Sequence, residues 1–140
     1  MMKLRYVFYS LLIVVLAVSC REDDTIIYPS EHSIGEVTHT KYAGLYVLNE
    51  GNMGSNKATL DFLDLELGKY YRNIYPSRNP NQIKELGDVG NDVKIYGNSL
   101  WLVINQSNKV EVANARTAVS RGHVDIPNCR YVAFQGRYAY

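Results

Sequence analysis

Cysteine, histidine and tryptophan are scarce in this chain of 140 residues, at two, three and one respectively. Neither sign of charge prevails: 15 basic residues stand against 14 acidic ones, for a net formal charge of +1. No basic stripe runs along the chain, which argues against nucleic acid as a partner. Cys-x-x-Cys, His-x-Glu, His-Glu-x-x-His, a glycine-rich phosphate cradle and a serine elbow are all missing, so no nucleophile with its base can be assembled from local sequence. His32 and His39 fall in a polar N-terminal stretch, and His123 stands alone among turn-like residues. No catalytic residue, metal or cofactor is therefore assigned. The longest apolar run, Tyr6 to Val18, has 13 residues, short of the about 20 that span a bilayer core.

That run has the makings of a leader. Lys3 and Arg5 precede it, Ser10 is its one polar interruption, and small residues follow in Leu16-Ala17-Val18-Ser19-Cys20. Residues 1–19 read as a secretory signal peptide. The pattern resembles the bacterial lipobox, with Ala17 where Leu or Val is usual, and implies cleavage before Cys20 and lipid on its thiol. An ordinary signal peptide with an incidental cysteine is the alternative. Arg21-Glu22-Asp23-Asp24 resembles the signal that sends Bacteroidetes-type lipoproteins to the outer face of the outer membrane. The implied location is the outer membrane, at the cell surface, with a periplasm-facing orientation as the alternative. Residues 20–40 read as the lipidated cysteine and a flexible polar tether. Loss of Lys3 and Arg5 leaves 13 basic against 14 acidic residues. Cys129 is then the one unmodified cysteine, a small buried apolar residue to which no chemistry is assigned.

From Lys41 onward the pattern is β. Gly44 to Leu48 is a short apolar run, and Ala58 to Phe62 alternates, with Ala58, Leu60 and Phe62 on one face and Thr59 and Asp61 on the other. Val93 to Tyr96 precedes a Gly97-Asn98 turn, Leu100 to Ile104 reads as a strand buried on both faces, Lys109 to Val112 alternates, and Tyr131 to Phe134 repeats the theme. Short strands separated by Gly/Asn turns indicate an all-β sandwich, barrel or propeller. The one helical hint is a single turn over Asn81 to Leu86, after Pro80. Most of the 12 tyrosines sit in these runs; Tyr46, Trp101, Tyr131 and Tyr138 read as packing residues. Tyr70, Tyr71 and Tyr75 are better candidates for exposure than those four, open to stacking on a sugar or planar ligand, but edge-strand packing is the favoured reading for them as well.

Self-comparison separates the three β options. Leu45 to Asn49, Asn56 to Leu60 and Asp64 to Gly68 form one unit; Leu102 to Asn105, Asn108 to Val112 and Asn114 to Thr117 form another. Val93 to Gly97 and Val132 to Gly136 are a second matched pair. A repeat of roughly 40 residues with four strands suits a propeller blade. Here the sequence resembles the YVTN-type β-propeller repeat, and more narrowly the YncE-like propeller lipoproteins of Bacteroidetes. Asn114 stands where that repeat has Asp, Asn128-Cys129-Arg130 lacks its proline, and Glu50 to Ser55 lengthens the first loop as it does in those proteins. The resemblance implies an all-β propeller, seven-bladed when complete. Residues 41–140 would be its N-terminal two to two-and-a-half blades, a truncated part of a protein some 200 or more residues longer at about 40 per blade.

Candidate ligand-binding residues fall in three loop clusters: Asn49, Glu50, Asn52 and Asn56; Asp88, Asn91 and Asp92; Asn105 and Asn108. Side-chain oxygens of these types serve calcium or sugar hydroxyls, while the same residues are selected by tight turns for backbone reasons. Gly87 to Asp92 lacks the glutamate and spacing of an EF-hand loop. Propeller stacking would put the first and third clusters at equivalent places on one rim. The expected function is a surface-anchored, non-enzymatic binding or interaction lipoprotein, membrane-bound through Cys20. The resemblance implies a role beside outer-membrane nutrient uptake, with a transport protein or a small ligand as partner. The alternative is an exported propeller enzyme, a glycan lyase or hydrolase completed by further blades; a purely structural envelope protein is the third reading.

Overall fold

The computed structural model describes residues 26–35, 42–82 and 85–140. The signal peptide, Cys20 and half of the expected tether lie outside the described residues. Ten strands and one short helix make up the described fold: β1 (Ser30–Ser33), β2 (Gly44–Asn49), β3 (Thr59–Asp64), β4 (Lys69–Arg72), α1 (Ile74–Arg78), β5 (Gly90–Tyr96), β6 (Ser99–Ile104), β7 (Lys109–Asn114), β8 (Ser120–Asp125), β9 (Phe134–Gln135) and β10 (Tyr138–Ala139). They form two four-stranded antiparallel sheets and a hairpin. The first sheet has the order β1-β4-β3-β2, the second runs β5-β6-β7-β8, and β9 pairs with β10.

Turn chemistry fixes where the strands reverse. After β3, the Asp64 carboxylate accepts the backbone N–H groups of Glu66 and Leu67 at 2.9 and 2.8 Å, and the turn closes at Gly68 with φ 61°. After β7, Asn114 Oδ1 accepts the N–H groups of Arg116 and Thr117 at 2.8 and 3.3 Å, and the turn closes at Ala118 with φ 56°. The side-chain oxygen is what the turn requires, so asparagine replaces the aspartate of the repeat without loss of the motif. The β5–β6 and β9–β10 reversals are two-residue turns with Gly97 and Gly136 at φ 63° and 60°, where a glycine costs least.

The two sheets stack face to face over one apolar cluster. Leu60 from β3 meets Leu100, Leu102 and Ile104 from β6, with Ile74, Tyr75 and Leu86 of the connecting segment filling the margin. The opposite face of the second sheet carries Val103 and Val110, which pack with Val132, Trp101, Cys129 and Phe134. Thus β6 is buried on both faces, as its continuous apolar run predicts. The approach of the sheets is closest where β5 begins: a methyl group on Gly90 would lie 2.8 Å from Leu48 Cγ.

Three local expectations are corrected. A helical turn lies at Ile74–Arg78, where Ile74 and Tyr75 are the apolar pair that the inter-sheet core can take up, and the described residues of the expected turn, Asn81, Gln82, Glu85 and Leu86, are not helical. Packing, the favoured reading of Tyr70, Tyr71 and Tyr75, agrees with the structure: Tyr75 is only 2% exposed, and Tyr70 and Tyr71 are half-buried in β4. Conversely, Tyr131 and Tyr138, expected to pack, are 73% and 69% exposed. Part of the expected tether, Ser30–Ser33, forms a strand on the outer edge of β4. Its side chains are all exposed, and it is held by backbone pairing plus a Lys69–Glu31 ion pair at 3.1 Å; a sheet edge offers unpaired N–H and C=O groups to any extended segment, apolar or not.

Two substitutions test these features by chemical denaturation. Asn114→Ala, which removes the turn acceptor, should lower stability by about 1 kcal/mol, while Asn114→Asp retains it. Gly90→Ala should cost about 1–3 kcal/mol through overpacking against Leu48; unchanged stability would show that the sheets can separate without penalty.

Candidate functional site

A buried carboxylate organises the outer face of the first sheet. Alternation along β3 sends Leu60 into the inter-sheet core and Thr59 and Asp61 to the other side. That side is buried at both residues, with Asp61 4% exposed. Burying a carboxylate is costly unless its oxygens are bonded, and here they are. Asp61 Oδ2 accepts Asn49 Nδ2–H at 2.9 Å and the Tyr70 hydroxyl at 2.6 Å. Its Oδ1 accepts the backbone N–H of Asn73 at 2.8 Å. Asn73, in the left-handed region at φ 48°, turns the chain out of β4, and its side chain donates to the Ile27 carbonyl. Donation to the Asp61 carboxylate, reinforced by burial, pushes the Tyr70 phenol up to about 12.

Around this network lies a cavity of about 510 Å³, lined among others by Asn49, Asn52, Lys57, Thr59, Tyr70 and Arg72. Asn49 Nδ2 also donates to Thr59 Oγ1 at 2.9 Å. Lys57 Nζ bonds Glu85 at 3.3 Å. Arg72, exposed at the end of β4, has no ion-pair partner among the described residues.

The second sheet carries a counterpart. Counting from the first ladder pair of each hairpin, Asn49↔Thr59 and Ile104↔Lys109, Asp61 and Glu111 are the third residues of β3 and β7. Each accepts a hydroxyl from the next strand: Asp61 from Tyr70, and Glu111, 2% exposed, from Ser120. The sequence register that aligned Thr59 with Glu111 and Leu60 with Val112 is therefore shifted, because the longer first loop delays the start of β3 relative to Asn56. His123, which sequence leaves isolated, lies opposite Glu111 in β8. With Tyr75, Lys109, Glu111 and Ser120 it lines a cavity of about 360 Å³. The connecting segment enters this second site. Asn79 Oδ1 accepts the Ser120 N–H at 2.7 Å, and burial together with the Glu111 charge raises the Tyr75 phenol well above its ordinary range.

Of the loop residues singled out from sequence, Asn49 and Asn52 line the Asp61 cavity. The others are placed mainly by turn and inter-loop bonding. Asp88 ties the three clusters together: its Oδ2 accepts Gly54 N–H at 2.7 Å and its own N–H donates to Ser107 Oγ at 2.9 Å. Asp92 bonds Lys94 at 2.9 Å and the Val132 N–H at 3.0 Å. Asn105 donates to the Cys129 carbonyl at 2.8 Å. Asn56 and Asn108 occupy left-handed turn positions at φ 56° and 51°, and Asn108 Oδ1 accepts Asn128 N–H at 3.0 Å. Glu50 is exposed and contributes its carbonyl to Gly90 N–H at 3.1 Å. Asn91 keeps a buried Oδ1 without a partner. Asp61, Tyr70 and Arg72 were not found from sequence, because Asp61 reads as an ordinary solvent-face residue of an alternating strand and only the cross-strand register brings Tyr70 to it.

Stacked antiparallel sheets, each with a buried carboxylate that accepts a hydroxyl from the next strand, define the chain as an all-β protein. Residues 43–138 match the family described as a domain of unknown function, DUF5074, and the chain belongs to that family. None of the curated proteins matches it.

The Asp61 network predicts a titration. In Asp61→Asn the Tyr70 phenol loses its anionic acceptor, so its pKa should fall from about 12 toward the ordinary tyrosine value of about 10, read by the pH dependence of its ring carbon resonance. Asp61→Ala should destabilise the fold by about 2–3 kcal/mol, since it leaves buried donors unpaired.

Proposed function

We propose that this chain is part of a YVTN-type β-propeller that acts as a surface-anchored, non-enzymatic binding lipoprotein serving outer-membrane uptake. Three features support the propeller reading. The repeat units form separate sheets; the β9–β10 hairpin begins a third layer on the far face of the second; and among the described residues β2 has no outer neighbour in its sheet, where its counterpart β6 is flanked by β5. A radial stack of sheets places such faces and edges against further copies.

The Asp61 cavity carries the binding reading. Both oxygens of the carboxylate are already engaged by protein donors, and the Tyr70 phenol is held protonated. Neither group is placed to take a proton from a substrate, as a general base must, whereas fixed amides, hydroxyls and an unpaired guanidinium are the means of recognition. The enzyme alternative draws on Glu111, Ser120 and His123, which share one cavity. That cavity already holds the Tyr75 phenol from within the chain.

Two experiments decide these points. Mixed with a panel of small polar solutes, the purified protein should show a saturable rise in melting temperature with at least one, and the solute should be recovered unchanged. Chemical conversion of the solute would establish the enzyme reading instead, and no response to any of them would overturn binding at this site. Labelled palmitate should enter the protein and be lost in Cys20→Ala, and protease applied to intact cells should remove it; labelling that persists in the variant, or protection from protease, would refute the anchored and surface-exposed assignments respectively.

A further inference from the structure

Resting on the binding reading above, we propose that the Asp61 cavity selects a polyhydroxylated carboxylate, an acidic monosaccharide of the uronate type, whose carboxylate is held by Arg72. The inference comes from what the cavity's groups have left to offer. Asp61 spends its oxygens on Asn49, Tyr70 and the Asn73 N–H, so it acts as a scaffold and does not attract a cation. Lys57 is paired with Glu85. Arg72 lines the cavity with its guanidinium free of any described partner, and a guanidinium presents a planar fork of donors that matches a carboxylate bidentately.

Side-chain amides and hydroxyls complete the set. The Asn49 carbonyl oxygen, the Asn52 amide, and the remaining capacity of the Thr59 and Tyr70 hydroxyls are mixed donors and acceptors, suited to the hydroxyls of a sugar ring. Ile27 gives the cavity an apolar wall. A volume of about 510 Å³ lies in the range of small-molecule sites, on the order of 300–1,000 Å³. A carboxylate near Asp61 would be repelled in isolation; the three donors on Asp61 and the adjacent guanidinium offset that repulsion.

Calorimetric titration of the purified protein with glucuronate, glucose and acetate tests the proposal. Glucuronate should bind at least tenfold more tightly than either glucose, which lacks the charge, or acetate, which lacks the hydroxyls. Arg72→Gln should abolish the preference over glucose, a loss of about tenfold that corresponds to one charge-assisted contact, while its melting temperature stays unchanged because Arg72 is exposed and unpaired. Glucose binding as tightly as glucuronate, or Arg72→Gln binding glucuronate unchanged, would overturn the carboxylate specificity and leave the binding reading standing. Binding of none of the three probes would overturn the proposal as well; if the wider solute panel also fails, the binding reading falls with it.

Discussion

Stacking of Leu60 against Leu100, Leu102 and Ile104 is the contact on which this molecule depends. A four-stranded antiparallel sheet cannot cover its own faces, and at about 25 cal/mol per Å² of apolar surface removed from water the meeting of the two sheets is the main source of their stability. Gly90 lets β5 start within van der Waals reach of Leu48. The connecting segment supplies Ile74, Tyr75 and Leu86 to close the margin. Because β6 is apolar on both faces, the second sheet in turn needs cover on its far side, which Val132 and Phe134 begin to provide.

The same parity that builds the core builds the polar sites. Once Leu60 faces the second sheet, Asp61 must face away from it; once Leu102 faces the first sheet, its ladder partner Glu111 lies on that same side. Asp61 is thus directed away from the second sheet and Glu111 toward the first, and each is satisfied by a hydroxyl from the following strand. The difference lies in what covers them. Over Glu111 the chain folds its own Tyr75 and Asn79, whereas beside Asp61 a polar cavity remains, bordered by Arg72. One sheet therefore uses the arrangement to fasten a linker, and the other keeps it beside a cavity that no described segment of the chain fills.

Much of the all-β architecture was legible in local signals. The alternation of Lys109 to Val112, the continuous apolar run Leu100 to Ile104 and the Gly97-Asn98 turn each carry their structural meaning within a few residues. The segments matched in sequence, Val93 to Gly97 and Val132 to Gly136, each run into a two-residue turn with glycine at positive φ. The helix was misplaced because the propensity of a five-residue segment is weaker than the gain from burying Ile74 and Tyr75. The edge strand Ser30–Ser33 was missed because its pairing is a backbone matter that leaves no apolar pattern. The Asp61 site was half-seen: Asn49 was singled out, but Tyr70 and Arg72 lie across the sheet, and nothing in their own segment signals a carboxylate beside them.

The sequence by itself determined the class of secondary structure and the turn positions, because each follows from interactions among residues close in the chain: Asp64 and Asn114 bonding the next peptide groups, glycines accepting positive φ, apolar residues alternating along a strand. Tertiary structure alone decided the exact register between the repeats, the burial of Asp61 and Glu111, and which of the two carboxylate sites stays open. Those outcomes depend on strand pairing across the sheet and on which layer covers which face, and free energies of that kind exist only once distant segments have met.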